Sequence, residues 1–412
     1  MFATFARRAV AGLVASLGLV AAMAAPAGAP TEATSAWPQD GHDAAHTWRN
    51  MDERAINLRS FARLKPTASV KQGQFYVGAA SQTGEGTLYS CNNLSRITAS
   101  DGVTGAALWS RTDLPGGECG NVAVSARAIF VTTQRRFDYW GGYFELGAYV
   151  MALHPTTGAT LWETRVDDAE SLGFENPTLV GRRLYVTDGR SSVYAFDATT
   201  GAQLWQASTD GRLNNAATVG QGKVFVSTWT DGDDERIVQA FDAATGARVW
   251  RHSLGQFNSW HAPMLMDGRL IVTTSSGLVR ALDAATGTLL WQTQMAGYIP
   301  EPPAAGLKTL FISQSSTVVA LDAATGAVHW SRTLPGQSLA SNLVAVGGGV
   351  AYMGLEGVAN LRLGMLDGRT GASVKAPGSY LYGSHVQLTV GQGRVQVATN
   401  QGSLYVFSLP AP

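Results

Sequence analysis

Short runs of alternating apolar and polar residues, each closed by a glycine-bearing turn, recur along most of the chain. Within residues 261–293, HAPMLMDG reads as a strand entering a turn and RLIVTTSSG as a β-branched strand. LVRALD then alternates, AATG turns the chain, and TLLWQTQ returns it. Two-residue periodicity interrupted so often predicts antiparallel strands rather than helices, four to a unit.

The unit repeats. Its signature, Asp-x-x-Thr-Gly-x-x-x-Trp, starts at Asp101, Asp197, Asp242, Asp283 and Asp322, with the tryptophans at Trp109, Trp205, Trp250, Trp291 and Trp330. Two further copies are degenerate: His154 stands for the Asp of one, and Lys375 for the Trp of another that begins at Asp367. A period near 40 residues built of strands predicts a β-propeller. In each copy the Asp caps the turn, the Gly supplies a positive φ, and the Trp on the last strand packs between neighbouring sheets with its N–H on a backbone acceptor. Seven signatures followed by HVQLTVGQG, RVQVATNQG and SLYVFSL predict eight blades, with seven as the alternative. The last unit lacks a strand, and residues 37–48, WPQDGHDAAHTW, are expected to supply it and hide the ring's free edges.

Composition supports a folded core and narrows the function. Hydrophobic residues make up 45% of the chain and charged residues 15%, and 30 Lys+Arg balance 30 Asp+Glu. That balance gives no basic face for nucleic acid. Arg7 and Arg8, an uncharged stretch over 9–25 and Ala-x-Ala sites up to Ala29 read as a signal peptide over 1–29, cleaved between about 24 and 29. The propeller is then 30–412, periplasmic or secreted, with no lipid-bearing Cys near the cleavage region. Cys91 and Cys119 either pair in that oxidising setting or remain buried thiols.

The repeats resemble the tryptophan-docking motifs of the pyrroloquinoline-quinone (PQQ)-like propellers, and WPQDGHDAAHT resembles that family's opening segment. The family includes quinoprotein dehydrogenases as well as non-catalytic scaffolds of the BamB type, so fold does not choose between them.

Function is expected where the repeat is interrupted. The loops leading into the innermost strands present Lys65, Glu118, Asn121, Glu175, Asn176, Arg212 and Asn214 around one half of a funnel. Asn215, Trp260, His261, Glu301, Asn342 and His385 complete it. They form either a solvated rim or a site. The insertion at 135–147 concentrates Arg135, Arg136, Phe137, Tyr139, Trp140, Tyr143 and Phe144, residue types that anchor interfaces. A hairpin packed on its neighbour is the other reading. Arg212 and Leu213 occupy a loop comparable to one that BamB uses for its partner, as the resemblance implies. These features predict a non-catalytic periplasmic scaffold, a monomer that binds an envelope protein or complex and carries no cofactor. The alternative is a compact dehydrogenase of alcohols or sugars, with PQQ and Ca²⁺ held by Trp260, Glu175 and Asn258 and with Glu301 as base. Elbow, zinc and phosphate-loop motifs are absent from the sequence. The acidic turn within 228–238, with Asp231, Asp233, Asp234 and Glu235, departs from the EF-hand order and reads as a solvated turn.

Overall fold

The computed structural model describes residues 38–71, 81–82, 86–91, 96–115, 118–119, 122–134, 148–166, 175–213, 215–230, 235–256, 261–314, 316–334, 338–339, 344–346, 350–356, 361–374, 386–399 and 402–410. Among them the turn signals close where the sequence places them. In the unit used above, Met264–Met266, Arg269–Thr273, Leu278–Asp283 and Leu289–Gln294 pair in that order as one antiparallel sheet.

The described strands form a β-propeller of eight hydrogen-bonded sheets. Numbered by their signatures, sheets 1 to 6 span 81–111, 118–166, 178–208, 218–256, 264–294 and 304–333. Sheet 7 spans 338–374, and sheet 8 joins 386–408 to 65–71. Seven of these are wholly antiparallel blades with four strand positions, the number given above as the alternative to eight. Sheet 7 is the irregular one, because Arg49–Asn50 adds to its inner edge in parallel.

The repeat signature fixes how sheets meet. In the turn at Asp242, one carboxylate oxygen accepts from the N–H groups of Ala244 and Thr245 and from the Thr245 hydroxyl, at 3.0, 2.9 and 2.8 Å. In the degenerate copy, His154 Nδ1 substitutes by accepting from the Thr156 N–H at 3.2 Å. Six of the turn glycines, from Gly158 to Gly371, then receive the indole of the preceding sheet. Trp205 lies against Gly246 and donates its Nε1–H to the Ala243 carbonyl at 3.2 Å. Trp109, Trp162, Trp250, Trp291 and Trp330 make the same contact with Pro155, Ala198, Ala284, Ala323 and Gly368. Every docking Trp also sits across its own sheet from a fully buried alanine: Ala99, Ala152, Ala195, Ala240, Ala281 or Ala320. The small side chain leaves room for the ring on that face.

Closure differs from the expectation. Lys65–Lys71, not residues 37–48, supplies the outer strand of sheet 8, antiparallel to Ser403–Ser408. Residues 38–50 run instead along the inner edges of the ring. The N–H groups of Val124, Val219, Leu265 and Ala305 donate to the carbonyls of Pro38, Ala44, Ala45 and Thr47 at 2.7, 2.6, 2.9 and 2.8 Å. The Leu179 N–H takes the Gln39 side-chain oxygen at 2.8 Å. Arg49 and Asn50 pair with Ala345 and Val346, and the Asn50 amide donates to the Val390 carbonyl at 2.7 Å. The segment therefore touches sheets 2 to 8 in order. Inner strands would otherwise present unpaired backbone groups to the tunnel.

Beyond the tunnel the chain turns outward. Glu53 accepts from the Gly393 N–H at 2.8 Å, in the first turn of sheet 8. Ile56, Phe61 and Leu64 then join a core cluster with Leu363 and Met365 of sheet 7 and Leu388 and Val390 of sheet 8. Sheet 7 is also the one whose signature has, by sequence, Lys375 in place of the docking Trp; Lys375 lies outside the described residues. Cys91 and Cys119 are joined in a disulfide with Cα atoms 5.8 Å apart, tying sheet 1 to sheet 2. Among the described residues no helix is long and apolar enough to cross a membrane.

The docking contact makes a steric prediction. A Cβ on Gly246 would lie 2.7 Å from Trp205 at φ +75°, whereas one on Gly222, at φ +70°, meets nothing within 4 Å. Gly246→Ala should therefore cost about 2–4 kcal/mol in urea unfolding and Gly222→Ala about 1 kcal/mol. Equal losses would show that backbone conformation, not the indole contact, sets the requirement for glycine.

Candidate functional site

Because the blades repeat, equivalent positions converge on the axis. Glu175, Asn215, His261 and Glu301 each lie three residues before the innermost strand of sheets 3, 4, 5 and 6, which begin at Thr178, Thr218, Met264 and Ala304. The tunnel segment hydrogen-bonds one residue further on in each of these sheets, at Leu179, Val219, Leu265 and Ala305. The segment thus forms a floor, and the four loops form walls above it.

The result is a cup of about 180 Å³. Asp40, His46 and Trp48 of the tunnel segment line it from below; Glu175, Asn176, Asn215 and His261 are prominent in the walls. The floor is shaped by left-handed backbone at Gly41, His42, His46 and Trp48, with φ of 68°, 75°, 51° and 49°. Asp43 holds this coil by accepting from the Ala45 and Thr47 N–H groups and the Thr47 hydroxyl. Burial works against its ionisation, but hydrogen bonds from His42 and Thr47 outweigh it and hold the carboxyl below its usual range.

Polar groups in the cup are positioned rather than loose. His46 donates Nε2–H to the Ala217 carbonyl at 3.2 Å, which turns Nδ1 toward Asp40, 3.9 Å away. The Asn176 amide donates to Asp40 at 3.3 Å. Asn215 donates to the carbonyl and hydroxyl of Ser227 at 3.3 and 3.1 Å. His261 places Nε2 at 3.1 Å from the Pro300 carbonyl and Nδ1 at 3.3 Å from the Thr273 hydroxyl. The carbonyl fixes Nε2 as donor, while the Thr273 hydroxyl can serve Nδ1 in either role. Burial pushes the ring's pKa down to about 4, against a smaller upward pull from Pro300. Glu175 is pushed up to about 7 by burial and then by the negative charge of Asp40, and Glu301 to about 7 by burial alone.

The sequence placed four of these wall residues at the funnel: Glu175, Asn176, Asn215 and His261. Glu301 adjoins Pro302, which lines the cup. Lys65 leaves the funnel for the outer strand of sheet 8, since the closing strand begins with it. Glu118 begins an inner strand of sheet 2. Asn121, Asn214, Asn258, Trp260, Asn342 and His385 lie outside the described residues, as do Asp231, Asp233, Asp234 and the whole insertion from Arg135 through Arg136, Phe137, Tyr139, Trp140 and Tyr143 to Phe144. Arg212 is exposed, with its guanidinium 5.6 Å from the Trp229 ring centre. Leu213 is buried at 1% exposure in the core between sheets 3 and 4, so it cannot meet a partner as expected. Asp40, His46 and Trp48 were missed as site residues. Their signal was present in the Asp- and His-rich WPQDGHDAAHTW, whose polar run lacks the alternation of a strand.

Comparison with known proteins follows this geometry. A family model described as outer membrane protein assembly factor BamB matches residues 147–237 and 233–409. The chain belongs to the PQQ-like β-propeller family. Within it, the chain is 28% identical over 204 residues to a quinoprotein ethanol dehydrogenase of Pseudomonas putida, covering 43% of this chain and 31% of that one. The match thus spans about a third of that enzyme's length. BamB from Moraxella catarrhalis superposes with TM-score 0.61 at 17% identity, over 84% of this chain and 99% of that one. The quinohemoprotein alcohol dehydrogenase of Comamonas testosteroni superposes with TM-score 0.69 at 14% identity, over 93% and 82%. At these identities the PQQ-like likeness is one of fold.

The two raised carboxyls carry a pH signature. Each binds its proton more tightly in the fold than in the unfolded chain, where the ordinary value is 4.5. Their contribution to stability is therefore full below about pH 4.5 and lost as pH rises through about 7. His261 acts in the opposite sense, with its stabilisation present above pH 6.5 and lost as pH falls toward 4. Between pH 5 and 8, the Tm of the Glu175→Gln, Glu301→Gln double variant should rise relative to that of the parent. A constant difference in Tm across that interval would show that neither carboxyl is raised.

Proposed function

We propose that this chain is a non-catalytic, protein-binding propeller of the cell envelope, acting as a scaffold in the manner of the BamB-type members of its family. The observation that carries this reading is the tunnel segment. Residues 38–50 occupy the axis and leave a cup of about 180 Å³, below the roughly 300–1,000 Å³ of ordinary cofactor and ligand pockets.

The cup's chemistry also fits PQQ poorly. PQQ is a planar tricarboxylate, and its accompanying Ca²⁺ takes several ionised oxygen ligands. Among the described residues no Lys or Arg lines the cup, and two carboxyl residues, Asp40 and Glu175, would face the cofactor's own negative charge. Among the described residues no group of three or more His, Cys, Asp and Glu side chains is arranged to hold a metal ion. The residues present do not fit the quinone.

A scaffold uses what remains: a rigid ring whose connecting loops are free to vary. Arg212, exposed beside Trp229, and the aromatic insertion at 135–147 are the surfaces assigned to the partner. The Cys91–Cys119 disulfide suits an oxidising compartment, as does the leader-like segment 1–29.

PQQ titration with and without Ca²⁺, followed by absorbance and calorimetry, separates the two classes. The expected result is no saturable binding at micromolar PQQ. Cross-linking in envelope extracts should in turn yield a defined protein partner that is lost when residues 135–147 are deleted or Arg212 is changed to Glu. Saturable PQQ binding with dye-linked alcohol oxidation, or a partner set indifferent to both changes, would overturn the scaffold reading.

A further inference from the structure

We propose that the cup at the centre of the ring binds a small organic cation, a primary amine or quaternary ammonium compound of about the size of choline. The scaffold role does not require such a site, and the site does not require a quinone.

Charge is the first consideration. Asp40 comes up from the floor and Glu175 in from the wall of sheet 3, and among the described residues no Lys or Arg lines the space between them. His261 offers no compensating charge, since burial disfavours the protonated ring. Asp40 is steadied by the Asn176 amide. Among the described residues no hydrogen bond reaches the Glu175 carboxyl. Its elevated pKa comes from burial and from Asp40, with no donor pulling it down. A wall that combines like charge with low solvation is relieved by an incoming cation and opposed by an incoming anion.

Shape and surface select the kind of cation. The volume of about 180 Å³ corresponds to roughly six waters at ~30 Å³ each, enough for an ammonium centre with a few carbons. Trp48 brings an aromatic side chain to the floor of the same cup, and aromatic rings attract alkylammonium groups that have shed water. A bare divalent ion would instead need several converging oxygen or nitrogen ligands, and the described residues provide no such group.

Protonation must be linked to binding. An ionised Glu175 holds the cation, so binding draws a proton off it. The other titratable groups of the cup are Asp40 and His46 from the floor and His261 from the wall of sheet 5, with Glu301 next to the lining residue Pro302. Glu175 and Glu301 are both pushed up to about 7, and Glu301 is the more distant in the ring, three sheets on.

The test is calorimetry of the whole chain with choline chloride, against the neutral analogue in which carbon replaces nitrogen. Choline should saturate in the millimolar range or below and the analogue should not. Affinity should be roughly tenfold greater at pH 8 than at pH 6, as one ionisation near 7 requires, and proton release at pH 7 should show as a buffer-dependent heat. Glu175→Gln, which preserves size, should weaken choline about tenfold at pH 8 and remove most of the pH dependence. Trp48→Phe should retain part of the binding. Absence of saturation with choline, equal binding of the neutral analogue, or wild-type affinity in Glu175→Gln each overturns the proposal. None of these results bears on PQQ binding or on the partner, so the scaffold reading stands or falls separately.

Discussion

The ring depends on one contact, made six times among the described residues: an indole laid on the glycine of the next sheet's turn, with its N–H on the carbonyl of the residue after the turn's Asp or His. It joins apolar burial to a directed hydrogen bond, so it sets both the distance and the angle between neighbouring sheets. The Asp and Thr keep the turn in the one conformation that presents glycine and carbonyl together. The alanine opposite each Trp keeps the ring flat against its own sheet. No single residue of the motif is catalytic in character; each is a condition for the contact.

That contact builds a ring but leaves its axis open, and the axis is where this chain departs from a generic propeller. Backbone groups at the inner strands need partners, and residues 38–50 supply them from one end of the chain. The same segment brings Asp40, His46 and Trp48 to the centre. The floor of the cup and the filling of the tunnel are thus one structure, which is why the space available for a ligand is small and acid-lined.

The ring was legible in the sequence because its information is carried by side chains at fixed spacing. Asp, Thr, Gly and Trp at constant offsets announce turn, positive φ and docking, and the funnel positions of Glu175, Asn215, His261 and Glu301 follow from counting back from each strand. The tunnel segment was not legible. It offers mainly backbone carbonyls from Pro38, Ala44, Ala45 and Thr47, and a carbonyl has no signature in sequence. The closing strand was hidden for a related reason. In Lys65–Lys71, KPTASVK, little beyond Ala68 and Val70 is apolar, so an outer-edge strand looks like a linker. Leu213 misled in the opposite direction, since its neighbour Arg212 is exposed while it is buried.

Threading the axis with an early segment has a consequence for how the molecule comes into being. Pro38 is followed in the chain by every sheet it helps to seal, and Lys65–Lys71 waits more than three hundred residues for Ser403–Ser408. Local contacts can assemble individual sheets in sequence, but the loop-closure entropy of the ring is met only at the last step. Until then the inner edges of up to seven sheets stand unpaired, and such edges recruit other chains. The wheel is thus assembled spoke by spoke while its hub remains the last part to be fitted, and the partly built form is the one that most needs to be kept from its own copies.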